Sequence, residues 1–326
     1  MQKNIKAFGG NPKEVTIAGE SAGSFSVSAQ MASPLSKRLF ARAIGESGSL
    51  LGTYSPTNLA DAEKLGVRFA TNVGATSLAD LRGMSADDLL AKTAGPGYHN
   101  FPVTLDGYFL PKNPTEIYKA GEQARVPLLV GWNSEENNAW AVLGPSEATP
   151  ANLAVAIKKL YGKQADAVNR VYSAQNNDEA RQAATDLASD RFIAFGTWKW
   201  SDVQRKTSGK PVYRYYYSHP RPATVDGHPA ASGANHSAEI EYALGNLSRN
   251  KVFAWTEDDY RVSNTMQSYF ANFIKTGNPN GPGLPAWPAN SIDTPVEVMH
   301  IDVVSEARPE SHPDRYPVLD QLKATH

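Results

Sequence analysis

No cysteine occurs among the 326 residues, which excludes disulfides, a thiol nucleophile and Cys-ligated zinc, and leaves the redox compartment open. Long apolar runs are missing too. None approaches the roughly 18 residues that a membrane-spanning helix requires, so no membrane span is expected. An excess of one charge is also absent: 32 Lys and Arg stand against 33 Asp and Glu, a net charge of −1, which removes any electrostatic case for nucleic acid as a partner. Basic pairs such as Lys37-Arg38 and Lys158-Lys159 are scattered and read as solvated faces. There is no internal repeat, no low-complexity tract and no signal-peptide pattern at residue 1, and localisation stays open.

What is present is a globular composition, 41% hydrophobic, with strand-like and helix-like stretches in alternation. Residues Gln2 to Phe8 have helical character, stopped by Gly9 and Gly10. Val15 to Ala18, Arg42 to Glu46, Val126 to Gly131, Val212 to Tyr217 and Val296 to Ile301 read as strands. Asn58 to Val73 reads as an amphipathic helix capped by Asn58, with Leu59, Leu65, Phe69 and Val73 on one face. Ser85 opens a short helix, Pro150 to Arg205 is mostly helical and punctuated by Gly162 and Gly196, and Asp258 to Thr276 is a strong helix with Gly277 as its cap. Its Met266, Tyr269, Phe270 and Phe273 are expected in the core. Ser218 to Asn235 is loop. This alternation predicts an α/β fold with a parallel sheet.

One stretch carries chemistry. Gly19-Glu20-Ser21-Ala22-Gly23 matches G-x-S-x-G, the nucleophile elbow. Glycine and serine are common, so the bare pattern turns up by chance in roughly one chain of this length in ten. Its setting raises its weight: an apolar strand leads in and small, helix-compatible residues follow. A Cβ at position 19 or 23 is expected to crowd the sharp turn, and the helix N-terminus is expected to face the oxyanion.

The surroundings of the elbow resemble the type-B carboxylesterases, the family that also holds the cholinesterases and has the α/β-hydrolase fold. The similarity extends through Asn4 to Thr16, Phe40 to Ser49 with its Gly-Glu-Ser-Gly-Ser ending, Pro102 to Gly107 with Leu110-Pro111, Gly131 to Glu136, His236 to Tyr242, and Lys275 to Asn280 with Trp287-Pro288. It implies one α/β-hydrolase domain over residues 1–326, with a helical insertion near 150–205. It also implies hydrolysis of small-molecule carboxylic esters without a cofactor or metal.

In this fold the triad follows the chain order Ser, acid, His. Ser21, Glu136 and His236 stand in that order, each later one in a loop after an expected strand. Spacing alone leaves Glu135 and Glu136 as alternatives; the resemblance favours Glu136, although Asn137 departs from the family's usual glycine. His228 is the rival of His236 but lacks its family-like neighbours. His219, His228 and His236 fit no usual zinc spacing, and Asn235-His236-Ser237 is a sequon of the kind that chance produces. Ser47 resembles a family serine near the histidine. Tyr98, Phe101, Trp132, Trp140 and Phe192 are apolar candidates for lining a substrate pocket.

The oxyanion hole is expected to use the N–H of Ala22, with further donors from an earlier Gly-rich loop. Residues 1–18 contain no such loop, and the stretch resembles the C-terminal part of such an enzyme. With the elbow strand at a sheet edge, a partner is expected: a complementing N-terminal fragment or a second copy of the chain. The alternatives are a catalytically impaired esterase fragment, which shares every motif and is set apart only by the missing oxyanion loop, and a cholinesterase-like binding protein with the same fold but no catalysis, weakened by the retained serine.

Overall fold

A computed structural model describes residues 1–94 and 101–323 of the chain. Eight strands are present among them: β1 (Thr16–Glu20), β2 (Arg42–Glu46), β3 (Thr57–Asn58), β4 (Thr104–Leu105), β5 (Leu128–Asn133), β6 (Val212–Tyr217), β7 (Glu297–Ile301) and β8 (Glu306–Pro309). Six form the main sheet in the order β1-β2-β5-β6-β7-β8, and β3 pairs with β4. The first four junctions of the main sheet are parallel and β7–β8 is antiparallel. Parallel strands deliver their following loops to one end of a sheet, where sites collect. This α/β arrangement, a mostly parallel sheet flanked by helices, is the architecture that the alternation predicted.

Burial explains the composition of the strands. All six residues of β5 are buried, as a continuous apolar run covered on both faces requires. One face is closed by the helix Glu257–Thr276, whose Val262, Met266, Tyr269, Phe270 and Phe273 recur at helical spacing and are all buried. Its start is fixed by a capping box between Thr256 and Asp259 and its end by Gly277 in the left-handed conformation. The helix Ala22–Ala32 packs with β1, β2 and Trp200 in a second core, and a third core gathers Trp132, Trp198 and Tyr316 among the helices of residues 150–207.

Two details depart from the sequence reading. The helix Leu59–Asn72 is capped by Asn58 as expected, but of its apolar face only Phe69 is buried, and Leu59 is exposed. Gly196 does not interrupt a helix; it lies in the first turn of Phe195–Thr207, where the backbone of Gly52 crosses it, and a Cβ on Gly52 would meet Gly196 Cα at 2.5 Å. The break in that region is a π-turn over Asp190–Ala194, placed directly before it.

Candidate active site

β1 ends in the elbow. Ser21 has φ 52° and ψ −117°, a conformation that L-residues rarely adopt and that surrounding structure has to enforce. The Ser21 N–H donates to the Glu46 carbonyl at 2.9 Å, and the Phe25 N–H donates to the Ser21 carbonyl at 3.0 Å, so the turn is bonded on both sides. Glycine is obligatory on one shoulder only. A Cβ at Gly19 would lie 2.3 Å from the Gly23 carbonyl carbon, whereas a Cβ at Gly23 meets nothing within 4 Å. The expectation that both positions are crowded is therefore corrected: Gly23 contributes the backbone that Gly19 approaches. Ala22 opens the helix Ala22–Ala32, so its N–H is among the four that the helix itself leaves unsatisfied.

Ser21, Glu136 and His236 come together. His236 Nε2 lies 2.9 Å from Ser21 Oγ, and its Nδ1 lies 2.6 Å from Glu136 Oε2. A neutral imidazole with its proton on Nδ1 satisfies both, donating to the carboxylate and accepting from the hydroxyl. The Glu136 side chain is fully buried, and its Oε1 accepts from the Asn133 N–H at 2.7 Å and from the Ser47 hydroxyl. Ser47 thus stands behind the acid and not beside the imidazole.

The rivals go elsewhere. Glu135 accepts from the Ser232 hydroxyl, His228 is exposed near Asp226, and His219 sits between Asp259 and Asp302.

Sequence reasoning missed a set of carboxylates around these three residues. Glu20 Oε1 accepts from the Ser237 hydroxyl at 2.7 Å and lies 3.5 Å from His236 Nε2. Glu239 is fully buried beside Asn133, and Glu46 has a buried, unpartnered Oε2. Burial, with the charge of Glu136 added, pushes Glu239 up to about 8. Burial and the neighbouring Glu239 and Glu20 likewise hold Glu46 well above the usual carboxylate range. Enclosure and like charge act in the same direction on both, disfavouring their ionised forms. Burial alone would lower His236, but the hydrogen bond and charge of Glu136, then the charges of Glu20 and Glu239, raise it above the ordinary imidazole value. A signal existed: Glu20, Glu46 and Glu239 each lie within three residues of Ser21, Ser47 or His236.

An aromatic arc runs from the elbow to the imidazole. Phe25 meets Tyr54 edge-on at 5.7 Å, Tyr54 meets Phe192 at 6.3 Å, and Phe192 meets His236 at 5.1 Å. Of the four apolar residues picked from sequence that lie among the described residues, only Phe192 stands at the site. Trp132 is buried against Tyr316 on the helical side, Phe101 packs on Phe69, Trp140 is 71% exposed, and Tyr98 lies outside the described residues. Among the described residues no cluster of His, Asp or Glu is arranged to hold a metal ion, and no helix is long and apolar enough to cross a membrane.

Cocaine esterase from Homo sapiens is 31% identical over 312 residues, covering 88% of this chain and 54% of that protein. Acylcarnitine hydrolase from Mus musculus is 30% identical over 93% of this chain and 56% of its own length. Carboxylesterase 5A from Canis lupus familiaris is 32% identical over 89% and 54% respectively. The chain spans little more than half the length of these relatives. Residues 1–316 match the sequence model of the Carboxylesterase family, and the chain belongs to that family.

Proposed function

We propose that this chain carries the Ser-His-Glu machinery of a serine carboxylesterase acting on small-molecule carboxylic esters through an acyl-enzyme. The observation that supports it most is the unbroken pair of hydrogen bonds from Ser21 through His236 to Glu136. Ser21 Oγ attacks the ester carbonyl carbon while His236 Nε2 takes the hydroxyl proton. Glu136 holds the Nδ1 proton in place and stabilises the imidazolium. The tetrahedral intermediate, its oxyanion facing the Ala22 N–H, collapses by breaking the bond to the alkoxy oxygen, which receives the proton from Nε2. Water, deprotonated by His236, then attacks the acyl carbon and releases the acid and Ser21. The arc of Phe25, Tyr54 and Phe192 supplies apolar surface for the organic groups of the ester.

Ala22 supplies one proposed oxyanion donor, and losing a single such donor typically costs about 10²–10³ in rate. We therefore propose as well that full activity requires donors from a complementing N-terminal segment or a second copy seated along β1. The test is turnover of p-nitrophenyl butyrate by the chain beside Ser21→Ala, with organophosphonate labelling of Ser21 in parallel. Loss of about 10⁴-fold or more in the variant is expected if the machinery is assembled. Labelling without turnover identifies an incomplete site. Absence of both labelling and turnover overturns the reading.

A further inference from the structure

Each of the two reacting residues has a polar neighbour that the reaction above leaves unused. Glu20 immediately precedes Ser21, and Ser237 immediately follows His236. The Ser237 hydroxyl donates to Glu20 Oε1 at 2.7 Å, so one hydrogen bond joins the nucleophile's turn to the base's loop. That same oxygen lies 3.5 Å from His236 Nε2, against 2.9 Å for Ser21 Oγ. Once Nε2 carries a proton, the carboxylate and the serine oxygen are rival acceptors for it, and the charged one is intrinsically the stronger.

Ser237 is also held in an unusual way. Its φ of 67° lies in the left-handed region that favours glycine. Its carbonyl accepts from Arg221 Nη2 at 2.6 Å, and the same nitrogen donates to Glu241 at 2.6 Å. A serine is thus kept where glycine would be easier, with its hydroxyl turned onto Glu20.

We propose that Ser237 is a positioning residue: its hydroxyl tethers the Glu20 carboxylate away from His236 Nε2, so that the imidazole stays aimed at Ser21. The groups that face His236 are Glu136 from the loop after β5, Glu20 from the end of β1, Glu239 from the turn after His236, and the ring edge of Phe192. Glu46 faces Glu239, and Arg221, the cation of this loop, is occupied by Glu241. Glu136 holds Nδ1, and Glu20 is the carboxylate beside Nε2. Without the tether Glu20 closes from 3.5 Å toward the roughly 2.8 Å of a charge-assisted hydrogen bond, and the imidazolium keeps its proton.

This deepens the serine-hydrolase reading and rests on it. The test is an NMR titration of the His236 side chain in the whole chain, with the pH profile of p-nitrophenyl butyrate turnover beside it. Ser237→Gly removes the hydroxyl while suiting φ 67°, so the loop keeps its course. In S237G the His236 midpoint is expected to rise by about one unit, which lowers kcat/KM at neutral pH by up to about tenfold. In E20Q the midpoint falls, and adding S237G to E20Q no longer raises it. A chain that neither turns over ester nor takes organophosphonate on Ser21, but whose His236 midpoint still rises in S237G, supports the tether and counts against the hydrolase reading. A His236 midpoint unmoved in S237G overturns the tether, with or without turnover.

Discussion

The two edges of the main sheet are built on opposite principles. β8 is antiparallel, short and charged: Glu306 pairs with Arg308, and Pro309, which has no N–H to offer, closes it. These are the devices by which an edge avoids pairing with another chain. β1 is parallel and reads Thr-Ile-Ala-Gly-Glu, and its one charge, Glu20, is turned into the site toward Ser237. Among the described residues no strand lies on its far side. β8 has the composition of an edge, and β1 has the composition of an interior strand while leading into Ser21.

The largest effect that separates the two is steric. Gly19→Ala drives a Cβ into the Gly23 backbone and is expected to cost about 3 kcal/mol. Gly23→Ala, four residues on, meets open space inside a helix and is expected to gain up to about 1 kcal/mol. Arg308→Ala on β8 stays within about 0.5 kcal/mol, as surface substitutions do. Urea midpoints of the three variants decide it. Equal losses at Gly19 and Gly23 would show that the elbow is not packed as described.

A smaller effect concerns association. If β1 behaves as an interior strand left open, the chain self-associates or takes up a complementing segment. Ala18→Lys, at the exposed centre of β1, is then expected to weaken association by about tenfold, or 1.4 kcal/mol. Arg308→Ile is expected to promote association through β8. Sedimentation velocity reads both. A monomeric, well-dispersed wild-type chain with fast amide exchange in β1 would remove the case for a partner.

Legibility followed the same divide. β2 and β6 were readable to the residue because short runs built on Ile44 and on Val212 with its tyrosines stand out between turn-forming stretches, despite Arg42, Glu46 and Arg214, and the helix Glu257–Thr276 because its apolar spacing, cap and stop all agree. β8 was invisible, since a charged edge has no strand pattern. Ser21, Glu136 and His236 could be picked out because a motif, a chain order and a resemblance pointed to them. Glu20, Glu46, Glu239 and the Tyr54 arc could not, because their role exists only where loops from β1, β2 and β6 converge. Trp132 misled for a related reason: it lies near the end of β5 on the way to Glu136, but its side chain packs against Tyr316 on the helical side.

The smallest effect lies on the β8 half, where ionisable groups tie the elements together. His219, just after β6, reaches Asp259 at 2.9 Å through Nε2 and Asp302 at 3.1 Å through Nδ1, joining the head of the helix Glu257–Thr276 to the turn after β7. Burial would lower this imidazole, but the hydrogen bonds and charges of Asp259 and Asp302 outweigh it and raise it above its ordinary value. Burial would raise Asp259, but hydrogen bonds from His219, Thr256 and Tyr242 bring it down to about 2. A raised imidazole stabilises the fold fully below its unfolded value of about 6.5, and that contribution is lost as pH climbs through the higher folded value. A lowered carboxylate contributes above about 4 and loses it as pH falls toward 2. The cluster is therefore most stabilising between those limits. His219→Gln is expected to cost about 1 kcal/mol near pH 6 and progressively less toward pH 9, while His236 and Glu239, unchanged in the variant, cancel in the difference. Urea unfolding of both proteins across that range measures it, and a difference that stays flat with pH would mean that His219 is held neutral and acts only as packing.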